Sequence, residues 1–292
     1  MSDETRQRAQ MKSYWEEHSA NKTTIEAMML DEGAAEIDKL ERPEILGMLP
    51  DLAGKDMIEM GAGIGRLTGD LAKTAKKVIA CDFVEETIEV NRSTNGHMGN
   101  IEFMVADVTK LVQPAGSLDI VFSNWLLMYL SDEEVSDLFA RSLEWCRPGG
   151  CLFFRESCFH KSGNAKRTDN PTVYRTPAQY HKMVIDQVSD VRSESGMPYY
   201  FELVSQKTVT AYVQAKGNHN QIAWLYRKTT SASNPDPRSG MALQAFLDKS
   251  RYTPEIVRAY GTPLLLPPPV PTTLRPTRNH PCASARGSCF LF

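Results

Sequence analysis

The sequence predicts an α/β protein: a doubly wound, mostly parallel seven-stranded sheet with an N-terminal helical cap. Three observations predict it. Short apolar runs alternate with longer helical patterns over residues 55–228. The early runs are short and mostly apolar, as in buried strands of a parallel sheet. A glycine-rich loop, IEMGAGIGRLTG, joins the first run to the first helical pattern, at the kind of strand-to-helix turn where open α/β sheets bind ligands.

Residues 1–50 carry aromatic and helical patterns and are expected to cap the carboxyl edge of the sheet. Strands are expected at KDMIEM, KVIACD, IEFMVAD and LDIVFSN, with helices at GRLTGDLAKTAK and VEETIEVNRSTN. A further helix starts after Ser131, whose spacing to Glu134 makes a capping box, and stops at RPGG before the strand CLFFRES. A helical pattern around TPAQYHKMVIDQVSD precedes three strand-like runs, YYFELVSQ, TVTAYVQA and QIAWLYRK. Short polar turns join them, so their pairing should be antiparallel. The core domain is thus placed at residues 51–230. Residues 231–292 read as a linker remnant, TTSASNPDPRSG, and a proline-rich tail. The last stretch, from Gly261, holds seven of the seventeen prolines and no acidic residue, so it is expected to be extended or disordered.

The 292 residues suffice for one well-buried domain with appendages. A net charge of -3 gives no general attraction to nucleic acid or a membrane surface. The charged N-terminus lacks the apolar core of a signal peptide, and clusters such as WLLMYL are too short to span a bilayer. The six cysteines include no C-x-x-C pair and read as reduced thiols rather than metal ligands. A cytoplasmic monomer acting on a small molecule is expected.

The glycine loop narrows the ligand. A dinucleotide loop, G-x-G-x-x-G, would place its third glycine at position 66, where this chain has Arg66. The glycines fall instead at Gly61, Gly63 and Gly65, and Glu59 precedes them. A carboxylate there suits a cationic ligand better than a pyrophosphate. Asp82, at the end of the second strand, can accept from both hydroxyls of a ribose, with Phe83 beside it. Asp107 and Val108 end the third strand, where they can meet an adenine. Asn124 and Trp125 end the fourth, at the cofactor's rim. A single acidic residue after a strand is more often a helix cap; the constellation carries the argument.

These residues resemble the class I S-adenosylmethionine-dependent methyltransferases, whose Rossmann-like fold has a first loop reading E-x-G-x-G-x-G; here it is EMGAGIG. The resemblance implies S-adenosyl-L-methionine as methyl donor and S-adenosyl-L-homocysteine as product. It implies Gly61, Gly63 and Arg66 at the loop, Asp82 and Phe83 at the ribose, and Asp107, Val108 and Asn124 around the base and rim. The segments YWEEHSANKTTIEAMMLD, ERPEILGMLP, FSNWLLMYLSDEEV and FFRESCFHKSGNAKR are similar to the first methyltransferase domain of plant and animal phosphoethanolamine N-methyltransferases. That implies methylation of phosphoethanolamine to phospho-monomethylethanolamine, the first step toward phosphocholine. FLDKSRYTPEIVRAYG resembles the lead-in to the second domain of that family, so a chain limited to the first methylation is expected.

The residue types agree with such a substrate. The segment after the fifth strand is rich in Arg155, Lys161, Lys166, Arg167 and Arg175 with hydroxyls interleaved, donors that suit a phosphate. The same pattern on its own also describes a solvated basic loop. With the resemblance, the substrate candidates are Ser157, Ser162, Gly163, Arg167, Tyr174 and Arg175. At the amine end, Tyr14, His18 and Tyr129, with Trp15, are candidates to accept the proton or stack on the ammonium. Single-domain parasite relatives have histidine where this chain has Tyr129, which leaves the base open. Alternatives are a methyltransferase for another small amine or acid, and a cofactor-binding form without turnover. Arg66 argues against a dehydrogenase.

Overall fold

In the computed structural model the described residues are 3–19, 24–163 and 172–230. Three helices come first, α1 (Asp3–Ser19), α2 (Ile25–Met29) and α3 (Ala34–Leu46). An alternating core follows: β1 (Asp56–Met60), α4 (Thr68–Ala72), β2 (Lys77–Asp82), α5 (Glu85–Asn95), β3 (Ile101–Val105) and β4 (Leu118–Asn124). After it come α6 (Asp132–Trp145), β5 (Cys146–Ser157), α7 (Pro177–Ile185), β6 (Val188–Arg192), β7 (Pro198–Thr208), α8 (Thr210–Lys216) and β8 (Gln221–Thr229).

One sheet runs in the order β3-β2-β1-β4-β5-β8-β7-β6. The pairings among β1 to β5 are parallel, and those of β8 with β5, of β7 with β8 and of β6 with β7 are antiparallel. The chain winds outward from β1 to β3, then returns to β4 on the other side of β1. The carboxyl ends of β1 and β4 therefore flank the point where the winding reverses, the ligand crevice of such sheets.

The sheet has eight strands, not the expected seven, and three segments differ from the sequence reading. RPGG, expected to separate helix from strand, lies within β5, which starts at Cys146 directly after α6. Residues expected to end a helix form β6: α7 stops at Ile185, and the chain turns back through Ser193–Gly196 to pair with β7. TVTAYVQA is not a strand. β7 ends at Thr208, and Thr210 begins α8. Its β-branched residues favour a strand, but the Glu44 carboxylate of α3 accepts from the Thr210 and Ala211 backbone N–H groups at 2.7 and 3.0 Å. That satisfies orphan donors of a helix N-terminus from a residue distant in sequence.

Alternation along the strands fills two cores. Met57, Val78, Phe122 and Phe153 face Ala34, Ile37 and Ile45 of α3, Leu71 of α4 and Tyr212 of α8. Ile58, Val121, Leu152 and Phe154 face Val135, Leu138 and Phe139 of α6 with Tyr180 and Val184 of α7. Both faces of these central strands are covered, which is why their runs are mostly apolar. The capping box at Ser131 and Glu134 opens α6 as expected. Cys81, Cys146, Cys151 and Cys158 are buried free thiols. Among the described residues no helix is long and apolar enough to cross a membrane.

Candidate active site

A pocket opens at the carboxyl ends of β1, β2 and β4. The glycine loop forms its floor through Gly61, Ala62 and Gly63, Asp82 and Phe83 one wall, and Asn124–Leu126 another. Ser157, Ser162 and Tyr174 close one side; Met128, Tyr129, Met11 and Trp15 close the side toward α1.

Local geometry explains the loop. Gly61, Gly63 and Gly65 all have positive φ, at 72°, 52° and 83°, a region glycine enters without a Cβ clash. The Asp82 carboxylate accepts from Gly63 N–H at 2.9 Å and from Val84 N–H at 3.0 Å, tying the loop to the end of β2. Burial raises the Asp82 pKa, opposed by the Val84 and Gly63 N–H groups. Glu59, buried at the end of β1, accepts from Thr68 Oγ1 at 2.6 Å. Burial pushes its carboxyl up to about 7. Asn124 Oδ1 is buried, lines the same pocket and has no hydrogen-bond partner. The pocket wall thus offers acceptors: Asp82, Glu59 and the Asn124 carbonyl.

Trp125 sits in the left-handed region at φ 60°. The Arg155 guanidinium lies 3.4 Å above its ring, and its Nε1 donates to Gln221 Oε1 at 2.8 Å. Two fixed contacts hold a backbone conformation that a bulky residue rarely adopts.

The turn after Trp125 is held by charge from both sides. Buried Glu156 accepts through Oε1 from the Leu126 and Leu127 N–H groups at 2.9 and 2.7 Å. Arg175 donates to the Leu127 and Leu130 carbonyls at 2.8 and 2.7 Å, and to Asp132 at 2.7 Å. This turn presents Met128 and Tyr129, which pack against Met11 and Trp15 of α1. Trp15 meets Tyr129 edge-on at 5.3 Å.

Of the sequence candidates, Gly61, Gly63, Arg66, Asp82, Phe83, Val108, Asn124, Tyr129, Ser157, Ser162 and Tyr174 line the pocket, as do Trp15, Glu59 and Trp125. Others stand elsewhere. Arg175 is 1% exposed, and carbonyls and Asp132 hold its guanidinium, so it braces the turn rather than presenting donors to a phosphate. Arg155, read as part of the basic segment, is buried and pairs with Glu41. Arg66 reaches the pocket edge, but its charge faces Asp38 and Glu41 of α3. Asp107 is outside the lining, and its Oδ1 accepts from the Thr109 N–H and hydroxyl at 3.0 and 2.8 Å. Gly163 is buried outside the lining. Tyr14 and His18 are outside the lining; they stack on each other at 5.6 Å, and each meets the lining residue Trp15 edge-on at 5.6 Å. His18 Nε2 lies 3.0 Å from the Ala27 carbonyl. Arg167 and Lys166 lie outside the described residues.

Sequence reasoning missed Gln221 and Glu156. Both lie in runs read as strands, and their partners are far away in the chain. The nearest signal was Trp125, an indole N–H at a strand end that needs an acceptor.

Comparisons with known proteins agree with this architecture. A family described as a methyltransferase domain matches residues 57–150. Phosphoethanolamine N-methyltransferase of Triticum aestivum is 51% identical over 248 residues, covering 84% of this chain and 47% of that protein. Phosphoethanolamine N-methyltransferase 1 of Arabidopsis thaliana is 49% identical over 243 residues, covering 82% of this chain and 48% of that one. A solved structure of phosphoethanolamine N-methyltransferase 1 of Haemonchus contortus, in complex with phosphoethanolamine and S-adenosylhomocysteine, is similar with a TM-score of 0.76. It is 32% identical, over 89% of this chain and 56% of that one. The chain spans about half the length of the curated relatives it matches. Sheet order, glycine loop and sequence identity converge: the chain has the class I methyltransferase fold and is a homologue of the phosphoethanolamine N-methyltransferases.

Proposed function

We propose that this domain transfers a methyl group from S-adenosylmethionine to the amine of phosphoethanolamine, giving phospho-monomethylethanolamine and S-adenosylhomocysteine. What carries the reading is one pocket with two chemistries. An acceptor-rich end at Asp82, Glu59 and Asn124 is continuous with a hydroxyl end at Ser157, Ser162 and Tyr174. The first fits a nucleoside with a cationic tail; the second fits an anionic oxygen. The Haemonchus contortus relative, whose solved structure holds phosphoethanolamine and S-adenosylhomocysteine, supports the pairing.

The bound cofactor would supply an electrophilic sulfonium methyl. The residues then have distinct tasks. Asp82 would accept from ribose hydroxyls while its bond to Gly63 N–H fixes the loop. Asn124 Oδ1 lacks a partner and would accept from the amino group of the cofactor. The hydroxyls of Ser157, Ser162 and Tyr174 would donate to the phosphate. The acceptor amine reacts only when neutral. Deprotonating an alkylammonium at neutral pH costs about 4 kcal/mol, which desolvation between Trp15, Met128 and Tyr129 would offset in part. Tyr129 is the proton-accepting candidate within the lining. Residues 1–50 would act as a lid that excludes water through α1.

The test incubates purified protein with radiolabelled S-adenosylmethionine and, separately, phosphoethanolamine, free ethanolamine and phospho-dimethylethanolamine. Phosphoethanolamine is expected to accept label at least about tenfold more efficiently than ethanolamine. Equal use of ethanolamine would overturn phosphate recognition, and equal use of the dimethyl compound would overturn assignment to the first methylation. Cofactor binding without transfer would identify a non-catalytic form.

A further inference from the structure

Gln221 opens β8, is fully buried and does not line the pocket. Its amide nevertheless joins both ends of the site. Oε1 accepts from Trp125 Nε1 at 2.8 Å, and Nε2 donates to Ser157 Oγ at 2.9 Å. Ser157 Oγ lies 3.3 Å from Ser162 Oγ.

The orientation of this amide is fixed by chemistry. An indole N–H is a donor only, so the amide oxygen must face Trp125. The NH2 group then faces Ser157. Ser157 Oγ accepts one hydrogen from Gln221, and its own proton remains to be donated. Within reach it finds Gln221 Oε1 at 3.2 Å and Ser162 Oγ, both neutral acceptors at long distance. An anionic oxygen is a stronger acceptor than either, so the proton turns to it. The Trp125–Gln221–Ser157 relay thus makes this corner a donor corner.

We infer that Gln221 is a specificity-determining residue: it sets the hydrogen-bond polarity of Ser157 so that this end of the pocket selects a group with anionic oxygen. The inference rests on the function proposed above and deepens it. It acts through the geometry of Trp125, so the indole that walls the methyl-donor end also orients the acceptor end.

Gln221→Glu tests it. The carboxylate still accepts from Trp125 but cannot donate to Ser157, and it draws the Ser157 proton toward itself. KM for phosphoethanolamine should rise about tenfold or more, with kcat and S-adenosylhomocysteine affinity within about threefold of wild type. Gln221→Met removes the donor without adding a charge and serves where the Glu variant fails to fold; a KM rise of several-fold is expected. Because Gln221 acts through Ser157, the pair Ser157→Ala with Gln221→Met should be no worse than Ser157→Ala alone. A folded variant with KM unchanged within about twofold, or full additivity in the double variant, would overturn the inference. Wild-type protein that ignores phosphoethanolamine would instead overturn the proposed function, before any variant is read.

Discussion

A Cβ placed on Gly65 would overlap the Asn91 amide oxygen and the Asn95 amide nitrogen, and φ there is 83°. Asn95 Nδ2 donates to the Gly65 carbonyl at 3.1 Å and to Asn91 Oδ1 at 2.9 Å. Side chains of α5 thus lie directly on the loop backbone. Gly65→Ala should destabilise the protein by about 2 kcal/mol or more in denaturant unfolding. Gly116 has φ 61° and nothing near its missing Cβ, so Gly116→Ala should cost only about 1 kcal/mol. Equal losses would show that steric approach at Gly65 adds nothing. Asp82 is argued at the same scale. Asp82→Ala removes the proposed nucleoside acceptor and unhooks Gly63 N–H, so S-adenosylhomocysteine affinity should fall by about tenfold or more in calorimetry. Glycine spacing and Asp82 were legible in the sequence because the loop demands those residue types. Arg175 was misread because an arginine's role depends on the groups it meets. Its partners are the Leu127 and Leu130 carbonyls, some 45 residues upstream, and no spacing rule points to them.

Between residues and fold, the turn at 126–130 is held by a carboxylate on its N–H groups and a guanidinium on its carbonyls. Glu156 faces Arg175, Tyr180 and Cys158 as charged or titratable neighbours. Burial raises its carboxyl from 4.5 to about 7, against the lowering effect of the Leu127 and Leu126 N–H groups and of Arg175. A folded-state value above the unfolded one means the folded chain binds the proton more tightly. The stability this group contributes is full below pH 4.5 and is lost as pH rises to about 7. Wild type should therefore lose about 3 kcal/mol relative to Glu156→Gln across that window, read from denaturant unfolding at each pH. Parallel curves would place the proton elsewhere. At this scale β1, β2, β4 and β5 were legible, because strands covered on both faces are mostly apolar, and edge strand β3 was legible from its place in the alternation. α8 was not: its N-terminus depends on Glu44, 166 positions upstream of Thr210.

Across the whole molecule, α3 is joined to the glycine loop and to β5 through buried charge. Glu41 pairs with both Arg66 and Arg155, and Asp38 with Arg66 and Arg42; Arg42 continues to Asp70 of α4. Removing the shared carboxylate leaves the buried Arg155 guanidinium without its carboxylate and Arg66 with Asp38 alone. Glu41→Ala should cost about 3–5 kcal/mol in equilibrium unfolding, whereas Glu36→Ala, an exposed partner of Lys39 on the same helix, should change stability by less than about 1 kcal/mol. The helical character of residues 1–50 was readable from the sequence; its ionic attachment was not, because Glu41 and Arg155 look alike whether paired or solvated. The asparagine bracket around the loop has a consequence of a different kind, in how the molecule ages. Asn95 is followed by Gly96, the neighbour that least hinders attack of the next backbone nitrogen on the side-chain amide, with loss of ammonia. Water then opens the resulting cyclic imide to isoaspartate or aspartate, and the new carboxylate would bring an acceptor toward the Gly65 carbonyl and the Asn91 oxygen, where an amide now donates. Slow deamidation at the end of one helix would thus loosen the glycine loop, and the chain's chemical age would be written into its ligand pocket.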